Sequence, residues 1–473
     1  MSIVQQTAAG RTSATAWSYV VRRPTFAAAL LCLVSFAAFW SAQRATDVSM
    51  IDLMVYRAEG WAARSGQDLY LLRATHADLP ATYPPFAALL FMPLTLLDID
   101  DMRTTATLLN LGLLIALVHL ALRLTGRPLR IPRPAAVLVL AALAVWCEPV
   151  WTTLRYGQVN LLLAALVVWD LSRRPDHRWA GVGTGIAAGI KLTPALFAVF
   201  LALCGIVEGW RRLRHTGVVT DVWNPRLRQA TMATGAFLAT ALLSAVVLPR
   251  DSHRFWSEVL FTSDRAGDIE GTANQSLRGV LARLLHTPDP GTLASVLAVA
   301  VAAAGLAVAV AAFLAGPRRL AHAPAWAALA CAATALLVSP VTWSHHWVWC
   351  VPLVLLLGTE ALHRTSVRWW TGTCLAALIF CTYALWLVPH KAVGGVRPEL
   401  HQGFGEMLLS GLYPLAGAAF LVLAATRAVR ALRRPVPYEL PRGGSGSGGS
   451  GSAGGGAARQ SAAPAPRQAV AKE

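Results

Sequence analysis

Six short stretches hold most of the polar residues suited to chemistry outside the arginine-rich loops. They are DLMVYR (52–57), ATYPPF (81–86), RYGQVN (155–160), GIKLTP (189–194), GTANQSLRG (271–279) and SPVTWSHHW (339–347). Asp52 stands about ten residues beyond the first long apolar run, where a membrane exit is expected. A carboxylate there can serve as a general base if it is ionised and within hydrogen-bond reach of a hydroxyl. It can equally be an interfacial surface acid or helix cap with Arg57 as its ion-pair partner. Asp47, five residues earlier, competes for the base role, and spacing does not choose between them. Lys191 closes a glycine-punctuated segment, GVGTGIAAGIKLTP, where it either snorkels to the interface or neutralises a phosphate. Neighbouring side chains on a helix diverge by about 100°, so His345 and His346 are poorly placed to chelate one metal together. A histidine N–H can instead donate to an oxyanion.

Metal and cofactor signatures are weak. Asp98-Ile99-Asp100 formally matches D-x-D, yet it follows an apolar segment and reads as that segment's polar exit. Gly181, Gly183, Gly185 and Gly189 fit neither G-x-G-x-x-G nor the Walker pattern, and no strand precedes them. They read as close helix-packing positions. The seven cysteines contain no C-x-x-C pair and read as small core residues. The expectation is therefore chemistry without metal or cofactor. Tyr83-Pro84-Pro85 reads as a rigid turn. Trp61, Trp343, Trp347 and Trp349 suit either an aromatic belt or a surface on which a sugar ring stacks.

These residues are carried by a strongly apolar chain. Of 473 residues, 55% are hydrophobic and 14% charged, against roughly a quarter charged in soluble domains. The apolar residues fall in blocks of about 15–25, the length that crosses a bilayer core as a helix. The expected fold class is all-α, a polytopic helical membrane protein. Twelve spans are expected, near 24–42, 104–122, 134–149, 158–172, 179–191, 194–210, 230–249, 293–315, 324–340, 346–362, 369–389 and 409–427. Phe86 to Leu97 is too short to span and is expected as a re-entrant or interfacial helix inside a long external loop, 43–103. The expected organisation is an N-terminal cytoplasmic tail (1–23), a membrane domain (24–434) and a Gly/Ser/Ala/Pro-rich disordered tail (435–473).

Charge sets the sidedness. All but three of the 41 basic residues are arginine. They crowd the N-terminal segment and loops such as 123–133, 211–228 and 427–434, the face expected to be cytoplasmic. Much of the formal +17 charge is thereby explained without nucleic acid. The six polar stretches fall on the opposite face. A transporter would favour midplane charges and internal repeats, and no convincing repeat is present.

Together D-L-x-V-Y, Y-P-P-F, G-Q-V-N, G-x-K-x-T-P, N-Q-S and S-P-V-T-W-S-H-H-W-V-W, in this order and on one face, resemble glycosyltransferase family 87, whose members have the GT-C membrane fold. The likeness covers roughly residues 25–430 and is nearest to the polyprenol-phosphate-mannose-dependent α-1,2-mannosyltransferases that extend phosphatidylinositol mannosides. The resemblance implies an extracytoplasmic active site in the plasma membrane, a polyprenyl-phosphate-mannose donor and a mannosylated phosphatidylinositol acceptor. It implies Asp52 as base, with His345 or His346 beside it. It carries Lys191, Gln158, Asn160, Asn274 and Gln275 over as phosphate or sugar contacts. Arg57, Tyr83, Trp343 and Trp347 complete the expected substrate-binding set. Arabinofuranosyl transfer, or mannosyl transfer to lipomannan, is the alternative within the class.

Overall fold

The computed structural model describes residues 23–126, 131–262, 265, 267–390 and 396–434. Residues 1–22 of the expected N-terminal tail (1–23) and the expected tail 435–473 lie outside these residues. The described chain is a helical assembly with one two-residue antiparallel ribbon, β1 (Arg73–Ala74) and β2 (Leu79–Pro80). Helix α1 (Pro24–Ala45) begins with Pro at its first turn, where a missing N–H costs nothing. Its 22 residues span about 33 Å. The short amphipathic α2 (Ile51–Ser65) follows at once. Then come α3 (Pro85–Phe91), a 3₁₀ turn (Met92–Leu96), and the long α4 (Ile99–Thr125). The Asp98 side chain accepts from the Asp101 amide at 2.8 Å and so caps α4, as N-cap aspartates do.

Next are α5 (Arg133–Ala144) and α6 (Glu148–Tyr156), bent 77° from each other, then α7 (Asn160–Leu171) and α8 (Val182–Ile190). The second half holds α9 (Ala195–Thr216), α10 (Pro225–Val247), α11 (Pro249–Ser257), α12 (Leu277–Leu284) and α13 (Gly291–Arg319). It continues with α14 (Ala323–Val338), α15 (Cys350–Arg364), α16 (Val367–Cys381), α17 (Phe404–Ser410) and α18 (Leu412–Leu432). Helices α13 and α18 pack against α14, and α8 packs against α10.

Five described helices are long and apolar enough to cross a membrane: α1, α4, α10, α13 and α18. The bent α5–α6 pair makes a sixth if counted as one span. The twelve expected spans therefore do not all appear as long helices. The reason is visible in α14, which is apolar all round and buried from Ala325 to Leu337. Such a helix faces protein rather than lipid, so its hydrophobicity does not measure a span. The expected span 179–191 shrinks to the nine residues of α8. The segment 86–97 is a short apolar helix plus a 3₁₀ turn, too short to cross. Cys374 and Cys381 are exposed along α16, unlike the core role expected of the cysteines.

Candidate active site

The geometry begins with the period of α2. Asp52, Val55, Tyr56 and Glu59 recur at i, i+3, i+4 and i+7 and so share one helix face. All four line a cavity of about 500 Å³. Two tight backbone approaches hold α2 in place. A side chain at Gly60 would meet the Phe91 carbonyl oxygen at 2.5 Å, and one at Gly157 would meet Leu53 Cβ at 2.6 Å. Gly157 also has φ of +69° and ends α6, a conformation that favours glycine. That turn delivers Gln158 to the face of α2 that carries Asp52.

Gln158 organises the carboxylate. Its Nε2 donates to Asp52 Oδ2 at 2.7 Å, and its Oε1 accepts from Tyr56 Oη at 2.6 Å and from Tyr83 Oη at 3.2 Å. The two tyrosine hydroxyls are 3.0 Å apart. An ionised Asp52 carboxylate can only accept, so the NH₂ group must face it, and the amide oxygen is then turned to the two tyrosine hydroxyls, which can donate to it. Burial pushes the Asp52 carboxyl up to about 6, against the hydrogen bond from Gln158 and the charge of Lys191, which both favour the ionised form.

Across the cavity, Lys191 follows the last residue of α8 in extended backbone. Its Nζ lies 2.8 Å from His346 Nε2 and 5.2 Å from the Tyr83 ring centre. The Trp343 amide donates to His346 Nδ1 at 3.1 Å, which leaves a neutral His346 carrying its proton on Nε2. A charged Lys191 can only donate, so both contacts of His346 coexist when the lysine is a neutral amine. An arriving anion that recharges Lys191 would therefore find two N–H donors side by side. His345 also lines the cavity, stacks edgewise on Tyr156 at 5.4 Å, and has a buried Nε2 with no protein partner.

The loop carrying both histidines is held from behind. Thr153 Oγ1 and Asn160 Nδ2 donate to the His345 carbonyl at 2.9 and 3.2 Å. Ser344 Oγ donates to Glu148 Oε1 at 2.8 Å. Glu148 is fully buried and also accepts from Thr152, Trp386 and Tyr413. The segment 273–275 pairs with 342–344: the Gln275 amide donates to the Thr342 carbonyl at 2.6 Å and the Ser344 amide to the Ala273 carbonyl at 2.8 Å.

Of the expected site residues, Asp52, Tyr83, Gln158, Lys191, Trp343, His345 and His346 line this one cavity. Five others do not. Asn274 and Gln275 are fully buried, with their amides spent on Thr342, Ile269, Thr272 and Ser410. Trp347 is buried against Phe380 and Tyr413 and donates to the Gln275 carbonyl. Asn160 braces His345 as above. These four shape the histidine loop without facing the space where a substrate would sit. Arg57 is about 140° around α2 from Asp52, since five residues turn a helix by 500°. It does not pair with Asp52, and its Nη2 donates to the Leu97 carbonyl at 3.3 Å. The rival base Asp47 lines a separate cavity of about 170 Å³.

Sequence reasoning missed Tyr56, Glu148 and Glu59. Glu59 is 2% exposed, and its Oε2 is buried with no protein partner. Burial pushes its carboxyl up to about 8, opposed by a hydrogen bond from the Thr82 backbone and reinforced by the Asp52 charge. At neutral pH it is mostly a neutral acid that can donate to a hydroxyl. The seven-residue interval from Asp52 was the signal that could have found it. For Glu148 the signal was a lone acid at the end of an apolar run.

A cavity with a carboxylate on one wall and a lysine–histidine pair on another has the groups needed to take a proton from a hydroxyl and to accommodate an anion. Comparison with known proteins gives that site its family. The model for glycosyltransferase family 87 matches residues 81–340. Two relatives from Mycobacterium tuberculosis are each 33% identical. One is a polyprenol-phosphate-mannose-dependent α-(1-2)-phosphatidylinositol mannoside mannosyltransferase, aligned over 67% of this chain and 72% of its own length. The other acts on a phosphatidylinositol pentamannoside and aligns over 73% of this chain and 75% of its own length. Among solved structures, ArnT from Cupriavidus metallidurans bound to undecaprenyl phosphate is similar with a TM-score of 0.40 and 13% identity, over 85% of this chain and 77% of that one. The chain belongs to glycosyltransferase family 87.

Proposed function

We propose that the protein transfers mannose from polyprenyl-phosphate-mannose to a phosphatidylinositol mannoside, forming an α-1,2 linkage with inversion at the outer face of the plasma membrane. The observation that carries this reading is the pairing of Asp52, held by Gln158 at 2.7 Å, with Lys191 and His346, 2.8 Å apart, across one cavity. In the proposed step Asp52 takes the proton of the acceptor hydroxyl as its oxygen attacks the anomeric carbon. The bond from that carbon to the phosphate oxygen breaks, and the phosphate leaves with the electron pair. Lys191 and His346 donate to the oxygen on which charge accumulates. Fixed donors aimed at developing charge in a site screened from water are strong contributors to rate. A lipid-borne donor is consistent with an outer-face site, because nucleotide sugars stay in the cytoplasm.

The placement outside rests on the crowding of arginines on the opposite loops. The mannosyl donor and the glycolipid acceptor are supported by the two relatives, which differ in acceptor length yet are equally similar. The deciding experiment incubates purified protein in nanodiscs with polyprenyl-phosphate-mannose and a panel of phosphatidylinositol mannosides, with products resolved by mass and linkage analysis. A gain of one hexose in α-1,2 linkage supports the proposal. Transfer from polyprenyl-phosphate-arabinofuranose instead, or no transfer to any mannosylated phosphatidylinositol, refutes it.

A further inference from the structure

Helix α2 is a partition with a cavity on each side. Its second face, made by Ile51, Met54, Arg57 and Trp61, lines another cavity of about 680 Å³. The far walls include His76 and Arg103, and among the described residues no acidic one lines it. Arg57 and Arg103 each use a guanidinium Nη2 to hold a backbone carbonyl, Leu97 at 3.3 Å and Ser49 at 3.1 Å. Their Nε atoms are buried without a protein partner. Arg103 also lines the smaller cavity that holds Asp47 and Asp100; its ion pair among the described residues is with Asp100, 3.8 Å away and 89% exposed, a geometry that contributes little. A guanidinium carries five N–H groups, so each of these cavity-lining arginines has donors beyond the one that holds a carbonyl, and a cavity with such a pair on partly apolar walls suits an oxyanion attached to an apolar body.

Ile51 lines both cavities, so the first turn of α2 is the divide between them, one residue from Asp52. The catalytic cavity offers Lys191 and His346 to one phosphate. An acceptor lipid brings a second phosphate that must also be placed. We propose that the second cavity holds the phosphodiester of the acceptor lipid, while its glycan passes over the first turn of α2 and presents a hydroxyl to Asp52. This assignment rests on the proposed acceptor class. It gives Arg57 and Arg103 a role in acceptor selection without contact with the reacting atoms.

The test compares two acceptors with the same mannosyl terminus, a phosphatidylinositol mannoside and a phosphate-free octyl mannoside. In Arg57→Gln and Arg103→Gln the ratio of kcat/KM for the phospholipid over the octyl acceptor falls about tenfold to a hundredfold, the loss expected for one hydrogen bond to a charged group. The loss appears in acceptor KM, with donor KM unmoved, and Arg57→Lys recovers part of it. An equal loss on both acceptors overturns the proposal, because the arginines would then only secure the loop. An unchanged ratio overturns it as well. So does an octyl mannoside rate stimulated by added phosphatidylglycerol in wild type but not in the variants, which would make the occupant a bystander lipid. If wild type transfers to neither acceptor, the functional reading fails. Native mass spectrometry then decides the cavity alone: retention of phosphatidylinositol mannoside by wild type and its loss in the Arg57→Gln/Arg103→Gln double variant supports the site, and equal retention overturns it.

Discussion

Replacing Gln158 with leucine isolates the electrostatic work of one amide. The substitution removes the 2.7 Å hydrogen bond to Asp52 Oδ2 and leaves Lys191 where it is. A hydrogen bond to an ionised group contributes about 1.5–3 kcal/mol. One pH unit corresponds to about 1.36 kcal/mol, so the Asp52 carboxyl should rise by about one to two pH units from its position near 6. A general base works in its ionised form, so activity is lost as pH falls through that value. The acidic limb of the kcat/KM profile, which reports the free enzyme, is therefore expected near pH 6 in wild type and between about 7 and 8 in Gln158→Leu. Above both limbs the variant should recover most of its rate. Folding should survive, because the Tyr56 and Tyr83 hydroxyls remain 3.0 Å apart and can bond each other. The assay is initial mannosyl transfer from pH 5 to 9 in nanodiscs, with melting curves as the control for folding. A folded Gln158→Leu enzyme whose acidic limb stays at pH 6 would refute either the identity of Asp52 as the titrating base or its control by Gln158.

Asp52→Asn should lower transfer by at least the hundredfold typical of a lost general base; retention of more than about a tenth of the activity sinks the assignment. The same variant should melt higher than wild type at pH 7.5 and by much less at pH 4. The folded-state carboxyl sits above its ordinary value, so its ionisation weakens the wild-type fold as pH rises from about 4 to about 6. Lys191→Ala and His346→Ala should each cost roughly 10–10³-fold in rate, with wild-type kinetics in both removing phosphate stabilisation from this site. Glu59→Gln should keep acceptor KM near wild type and Glu59→Leu should raise it about tenfold; equal effects of the two variants would exclude a donated hydrogen bond. Transfer should persist in excess EDTA, whereas a loss restored by Mn²⁺ would promote Asp98 and Asp100 to ligands despite the capping role of Asp98.

The sequence alone determined the helical membrane class, because runs of apolar residues have few other stable uses. It also exposed the residues that are expensive in such surroundings: Asp52, Lys191, His345 and His346 stand out because charge and imidazole are rare beside apolar helices. Their types prompted the chemistry proposed above, a base opposite an anion site. Pattern could not tell a lipid-facing helix from one enclosed by protein, since α14 and α13 read alike until packing shows one buried and the other exposed. Nor could it divide the polar motifs into those that face the cavity and those that hold it. Asn274 and Gln275 look as reactive as Gln158, yet their amides are consumed by the backbone of the 342–344 loop and of Ser410. Which way an amide points is set by partners 60 to 140 residues away, and only the closed tertiary structure brings those partners together. The face of α2 given to Arg57 was decided in the same way. The 100° step of the helix sends it away from Asp52, and the contact with Leu97 fixes what it meets instead.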